Sequence, residues 1–140
     1  MKLSTRSRYG LRLMLELGKQ YNNGPVQLSN ISKKQSLSVK YLGQIVLQLK
    51  NNELINSERG TNGGYYLARH PAKITVKEIV ECQEGSLELV DLEKTKEKSI
   101  AVKEVWKDLN LSVKNTLEKY SLELLLEIEA TTREGYTYTI

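Results

Sequence analysis

The chain has 140 residues, a pI of about 9.1 and a net charge of +4. This length allows one compact domain, or a small domain with a dimerisation arm. The composition, with 39% hydrophobic and 27% charged residues, is ordinary for a globular protein. No apolar run is long enough to cross a bilayer and the first ten residues lack the apolar core of a secretory signal, so we expect a cytoplasmic protein without membrane contacts.

The charge is unevenly divided between the two halves of the chain. Residues 1–70 carry eleven Lys and Arg against three acidic residues, whereas residues 71–140 carry ten against fourteen. A basic half indicates contact with a polyanion. The alternative is a solvated basic face, and we favour nucleic acid because several cations fall at predicted helix starts and in a glycine-rich loop.

Cys82 and His70 are the only cysteine and the only histidine. A structural metal site takes about four ligands at short spacings, so the chain cannot form a Cys/His cage. Cys82 lies in an apolar-periodic stretch and is interpreted as a small core residue; its neighbours Glu81 and Glu84 would raise its pKa, which argues against a reactive thiol. His70 has no nucleophile beside it and is interpreted as a surface residue that closes a strand. We therefore predict no catalytic site.

Three helices are predicted in the first third of the chain. The first runs from about Thr5 to Tyr21, and the second covers "LSNISKKQ" (28–35). The third begins at Ser38, whose hydroxyl can accept a hydrogen bond from a backbone N–H of the first turn. Because only a tight turn at Ser36–Leu37 separates the second helix from the third, the two must cross at a large angle, as in a helix-turn-helix.

The segment "SERGTNGGYYLARH" (57–70) is the densest glycine cluster. Strand-like runs flank it, and Asn62-Gly63 favours a hairpin because both residues tolerate positive φ. A P-loop needs a lysine and a serine or threonine after its last glycine, and a dinucleotide-binding loop needs a different glycine spacing. Both kinds of loop lead into a helix, whereas a strand follows the glycines here. A hairpin directly after a helix-turn-helix is the order of a winged-helix domain, which makes a nucleotide-dependent enzyme the least favoured function.

The chain after Pro71 is predicted to be helical. A capping box from Thr75 to Glu78 starts a helix that ends at Gly85. After a loose connector, residues 99–130 form a long helix and a short packing helix. The long helix carries an apolar stripe larger than the small core needs, so we expect it to pack on the same helix of a second subunit; burial within one subunit is the alternative. The stripe comprises Val102, Val105, Trp106, Leu109, Val113 and Leu117.

These elements together predict a mainly α fold with a small β-hairpin wing. We expect a winged helix-turn-helix DNA-binding domain in residues 1–85, a connector in 86–98, the dimerisation and packing helices in 99–130, and a flexible tail in 131–140.

Three segments, residues 1–17, 24–67 and 74–81, resemble the Rrf2 family of bacterial winged helix-turn-helix regulators. The combination RYG…YLxQ…SxRGxxGGYxL is specific, and the resemblance covers essentially the whole chain. It implies a homodimer, joined by the long C-terminal helix, that binds a pseudo-palindromic operator in double-stranded DNA and represses transcription.

Two features depart from the family pattern. Cluster-binding members carry three cysteines and often a histidine between the capping-box helix and the dimer helix; this chain has none there, so we expect no iron–sulfur cluster and no other cofactor. Gly43 stands where the family often has glutamate. The resemblance therefore implies that the operator is read less stringently or differently here.

Among cluster-free members, the chain is most similar to regulators that repress cysteine metabolism genes in complex with cysteine synthase. The tail "EGYTYTI", with Tyr138 and Ile140, resembles the peptide that docks in the active site of that enzyme, where backbone donors capture the terminal carboxylate. The alternatives are a disordered terminus, a family member that serves a redox, nitrosative or metabolite response, and a winged-helix module used for protein–protein contacts.

The predicted DNA contacts lie on the third helix and the hairpin. Gln44 is the predicted base reader because an amide can bond adenine bidentately. Arg59 is assigned to the minor groove and Arg8 to the DNA backbone. For each residue, the alternative is an ordinary exposed polar side chain. The full set is Arg8, Ser38, Lys40, Tyr41, Gln44, Arg59, Gly60, Gly63 and Gly64.

Overall fold

The computed structural model describes residues 2–133 and is mainly helical with one two-stranded hairpin, as predicted. Its elements are α1 (Thr5–Lys19), α2 (Leu28–Gln35), α3 (Val39–Asn51), β1 (Ile55–Glu58), β2 (Gly64–Leu67), a 3-10 turn (Pro71–Lys73), α4 (Val76–Glu84), α5 (Ile100–Glu118) and α6 (Leu122–Arg133). No helix in the described part of the chain is long and apolar enough to span a bilayer.

One apolar core joins α1, α2, α3, the hairpin, α4 and α6. Leu13, Ile45 and Leu122 are completely buried in it. Gly18 allows α6 to lie close to α1, since a Cβ at this position would lie 3.1 Å from a methyl carbon of Leu126. The division of the chain into domains stays a prediction. In the structure, the packing helix α6 shares one apolar core with α1, α2 and α3.

The predicted capping residues occupy the helix ends. The Ser38 hydroxyl accepts a hydrogen bond from the backbone N–H of Tyr41 at 3.0 Å. Thr75 and Glu78 form the reciprocal capping box at 3.0 and 3.1 Å, and Gly85, with a φ of 86°, caps the C-terminal end of α4. These caps satisfy backbone groups that a helix end leaves unpaired, so local sequence determines where the helices begin and end.

The hairpin differs from the predicted turn. β1 and β2 pair in antiparallel register from Ile55 with Leu67 to Glu58 with Gly64, which leaves residues 59–63 as the loop. Positive φ occurs at Gly60 and Gly64, at 109° and 153°, and the N–H of Gly63 donates to the carbonyl of Gly60 at 3.0 Å. The expectation that Asn62-Gly63 supplies the positive-φ pair is therefore wrong, because a five-residue loop places the left-handed residues elsewhere.

The connector contains no helix or strand between residues 86 and 98, but α5 holds its middle. Asn110 is only 5% exposed. Its Oδ1 accepts hydrogen bonds from the N–H groups of Leu89 and Val90 at 2.8 and 3.3 Å, and its Nδ2 donates to the carbonyl of Val90 at 2.9 Å. The segment is therefore anchored to α5 and not loose throughout.

Candidate nucleic-acid interface

The helix-turn-helix presents one face of α3 to solvent. Leu42, Ile45, Val46 and Leu49 are buried on one side, and the predicted contact residues Lys40 and Gln44 are exposed on the other. Because residues four apart lie on one face of a helix, Lys40 and Gln44 are neighbours on this exposed surface. α3 thus presents a cation and an amide together.

The turn before α3 is fixed by Ser36 and its neighbours. Ser36 adopts the left-handed conformation, with a φ of 55° and a ψ of 43°, and its N–H donates to the carbonyl of Ser32. The Ser32 hydroxyl donates to the carbonyl of Leu37. Only residues 36–38 separate α2 from α3, so the predicted tight turn is present.

Two of the predicted contact residues also have structural roles. The Ser38 hydroxyl caps α3. The Tyr41 ring is half-buried and meets the Tyr9 ring edge to face, with ring centres 5.9 Å apart, and the guanidinium of Arg12 lies 5.1 Å from the centre of the Tyr9 ring. Tyr9 and Arg12 of α1 thus support the start of α3, the recognition helix of the helix-turn-helix, and no local sequence pattern predicted these contacts between helices.

The wing is bonded to both helices of the helix-turn-helix. The side-chain amide of Gln27, at the start of α2, donates to the carbonyl of Thr61 at 3.1 Å. The ammonium of Lys50, near the end of α3, donates to the hydroxyl of Ser57 at 2.7 Å. Arg59 and Gly60 are exposed between these two attachment points along the hairpin. Sequence reasoning missed both bonds because each joins residues in different elements, for which no local pattern exists.

The three glycines of the hairpin, Gly60 and Gly63 in the loop and Gly64 at the start of β2, lie in different surroundings. A Cβ at Gly63 would clash with the carbonyl of Glu58, and a Cβ at Gly64 would clash with the backbone of Val26, which bridges to Tyr65. Gly60 has no atom within 4 Å of the position of a Cβ. Gly63 and Gly64 are therefore required inside the protein, and close approach of glycine backbone to DNA stays a prediction that suits Gly60 best.

Three cations of this surface have no ion-pair partner among the residues that the structure describes. In residues 2–133, none of Arg8, Lys40 and Arg59 lies in an ion pair. All three are exposed, and Arg8 donates to the Thr5 hydroxyl at 3.2 Å. Their charges remain available to a polyanion.

A buried carboxylate links α1 to α2. Glu16 accepts hydrogen bonds from Lys19 at 3.0 Å, from Gln35 at 3.2 Å and from Lys34 at 3.4 Å, and Gln35 in turn accepts one from Arg12 at 2.7 Å. Burial raises the pKa of the Glu16 carboxyl, but the two lysines together outweigh burial and hold that pKa below its ordinary value. This network fixes the scaffold that carries α3.

α4 holds the recognition helix through backbone carbonyls. The amide of Gln83 donates to the carbonyl of Ile45, and the thiol of Cys82 donates to the carbonyl of Gln48, each at 3.3 Å. Burial raises the pKa of the Cys82 thiol, so the thiolate is disfavoured. Cys82 is half-buried and packs against the edge of the core, so it is not one of the fully buried core residues.

The donor set does not fit a cluster held by thiolates. Cys82 is the single thiol of the chain, and it donates to the backbone carbonyl of Gln48 at the edge of the core. His70 is exposed and its Nδ1 accepts a hydrogen bond from the N–H of Ala72 at 3.0 Å, so it caps the 3-10 turn after the hairpin. Among residues 2–133, no three His, Cys, Asp or Glu side chains are placed to hold a metal ion.

The apolar stripe of α5 is incompletely covered by the rest of the chain. Leu117 packs on Val76, Val80 and Leu87, whereas Val105 remains 57% exposed. None of the six predicted stripe residues is completely buried. The other predicted interaction residues, Tyr138 and Ile140, lie outside the described residues.

Comparison with known proteins gives the family. The model of the Rrf2 family, described as iron-dependent transcriptional regulators, matches residues 3–128. The chain belongs to the Rrf2 family. It is 37% identical over 140 residues to the helix-turn-helix transcriptional regulator CymR of Bacillus subtilis (strain 168), and the match covers all of both chains.

Solved structures agree with this family membership. The structure of CymR, described as the global cysteine regulator of B. subtilis, matches with a TM-score of 0.84 and 37% identity over 91% of this chain and 98% of that one. IscR of T. potens matches with a TM-score of 0.78 and 34% identity over 99% and 96% of the chains. This Rrf2 protein is thus a helix-turn-helix transcription regulator with a winged-helix fold.

Proposed function

We propose that this Rrf2 protein is a repressor that binds a pseudo-palindromic operator as a homodimer, with α3 in the major groove and the wing beside it. The observation that carries the proposal is the bonding of the hairpin to both helices of the helix-turn-helix. These bonds hold the hairpin beside α2 and α3, so Arg59 and the exposed face of α3 can contact DNA at two points.

The proposed contacts divide into two kinds. Gln44 reads a base edge, since a side-chain amide can form two hydrogen bonds with adenine. Lys40 and Arg8 contact phosphates, which position the protein without reading sequence. Arg59 enters the minor groove, where a narrow A/T-rich groove attracts a cation. The protein acts by binding, and the proposal includes no catalytic step.

The proposed dimer uses the exposed stripe of α5. A two-fold axis through paired α5 helices presents two copies of α3, so the operator has two inverted half-sites. The exposed side chain of Val105 supports this arrangement because one subunit alone leaves it in water.

Selection from genomic DNA tests the operator proposal. Fragments retained by the full chain from a sheared genomic pool are sequenced, and we expect an inverted repeat whose half-site centres are one helical turn of DNA or a multiple apart. Recovery of fragments with no shared sequence would overturn the operator and would favour a winged-helix module that contacts proteins.

We further propose that the regulated genes serve cysteine metabolism and that cysteine synthase is a partner. Similarity to CymR, described as a global cysteine regulator, supports the role in cysteine metabolism, and the proposed partner rests on the resemblance of the C-terminal tail. Pull-down by immobilised cysteine synthase is compared for the full chain and for a variant that ends at Tyr136. Retention of the full chain alone is expected, and equal retention of both would remove Tyr138 and Ile140 from the contact.

A further inference from the structure

Leu47 lies in the middle of the polar surface of the recognition helix. Its side chain is 57% exposed, on the opposite side of α3 from the buried leucine, isoleucine and valine residues. Lys40, Gln44, Leu47 and Asn51 follow one another at intervals of four, three and four residues, which places them on one helix face. Leu47 therefore shares its surface with the proposed phosphate and base contacts.

The neighbourhood of Leu47 is also apolar along one edge. Val39 is 48% exposed, and Gly43, between Val39 and Leu47, has no atom within 4 Å of the position of a Cβ. The exposed face of α3 thus has polar groups at Lys40 and Gln44, and an adjoining edge of two aliphatic side chains separated by a bare glycine.

A single exposed leucine is common on protein surfaces and needs no partner. The position of Leu47 is informative because this face would lie against base edges in the major groove. There, the C5-methyl group of thymine is the apolar group offered by DNA, and cytosine lacks it. Gly43, one turn before Leu47, removes the side chain that would otherwise separate this part of the helix from the bases.

We propose that Leu47 contacts the C5-methyl group of a thymine in each half-site and thereby makes thymine part of the operator. The proposal rests on the proposed binding of operator DNA by α3. Burial of one methyl group is worth about a fourfold change in affinity, so loss of the methyl from both half-sites of a dimer-bound operator corresponds to roughly fifteenfold.

Replacement of thymine by uracil isolates the methyl group. The selected duplex is prepared with uracil in place of each thymine in turn, at symmetric positions of both half-sites, since uracil pairs identically but lacks the methyl. We expect one symmetric pair of positions at which uracil weakens binding of the wild type by roughly fifteenfold. We expect Leu47→Ala to bind the thymine duplex more weakly and to be insensitive to uracil at that pair.

Two controls separate this contact from a general loss of binding. Leu47→Met keeps an aliphatic side chain and should retain the uracil sensitivity, and Gln44→Ala should bind more weakly but also retain it. Because Leu47 is exposed, the thermal unfolding midpoint of Leu47→Ala should match that of the wild type. Equal uracil sensitivity of Leu47→Ala and wild type, or no sensitive pair for the wild type, overturns the proposal; absence of any preferred duplex overturns it together with the proposed function.

Discussion

At the scale of single residues, Glu16 shows how a buried charge stabilises the DNA-binding scaffold. The carboxylate is 6% exposed and takes hydrogen bonds from residues of both α1 and α2. A buried carboxylate is tolerated when its oxygens are satisfied, and removal of the charge leaves its partners unpaired. Its folded-state pKa is lowered, so the ionised form stabilises the fold.

Replacement of Glu16 by glutamine should lower the free energy of unfolding by about 1–3 kcal/mol at neutral pH. Since the folded pKa is depressed, this contribution is present above the unfolded pKa of about 4.3 and is lost as the pH falls through the lower folded value. Denaturant unfolding of wild type and Glu16→Gln from pH 7 to pH 3 should therefore show a shrinking difference. Glu81→Gln, at an exposed glutamate of α4, serves as the control; a pH-independent difference for Glu16→Gln would contradict the assignment.

Replacement of two interface glycines by alanine should change the free energy of unfolding in opposite directions. Gly64→Ala introduces a Cβ against the backbone of Val26 at a positive φ and should lower the free energy of unfolding by about 1–3 kcal/mol. Gly43→Ala adds a Cβ into open space within a helix and should raise it by about 1 kcal/mol. Thermal unfolding of both variants checks the pair, and an equal effect of the two would show that the packing around Gly64 is misassigned.

At the scale of elements, capping residues that lie within a few positions of a helix start predicted where α3 and α4 begin. Ser38 and the Thr75–Glu78 box are examples, because a cap needs only its own helix. The bonds from Gln27 to the wing and from Asn110 to the connector were not predictable, since each depends on how distant segments meet in the fold. The turn of the hairpin was mispredicted because the loop length, which is set by strand register, selects the turn.

The proposed dimer helix gives a prediction at the same scale. Val105→Asp places a charge in the exposed stripe, so it should convert the dimer to a monomer while the core stays folded. Leu111→Asp makes the same kind of change on an exposed side chain of α5 outside the stripe and should leave the dimer intact. Sedimentation velocity and circular dichroism measure the two properties. A folded Val105→Asp dimer would remove this stripe from the interface.

At the scale of the whole molecule, the excess of basic residues in the first half of the chain contributes to the candidate DNA-binding surface. The helix-turn-helix and the wing contain Lys40 and Arg59, whose charges are not paired within the described residues. Fold class and the candidate surface were thus predictable from element order and charge. The relative position of the wing and α3 needed the structure, since it involves the Gln27 and Lys50 bonds and the packing of the hairpin on the core.

The two cations should differ in how their loss affects binding. Lys40→Ala should weaken binding to all duplexes alike and reduce the slope of log affinity against log salt by about one per subunit, because one phosphate contact is lost from each. Arg59→Ala should weaken the operator most where its flanks are A/T-rich. Fluorescence anisotropy titrations over a salt series measure both effects, and affinity of Arg59→Ala equal to the wild type would exclude Arg59 from the interface.

Sequence-specific DNA binding by α3 and the wing is the central claim. Its most direct test is a titration of the full chain, at physiological salt, with the selected operator and with a scrambled duplex of the same length and base composition. We expect the operator to bind about a thousandfold more tightly or better, as specific regulators do. Equal affinity for the two duplexes would contradict the claim.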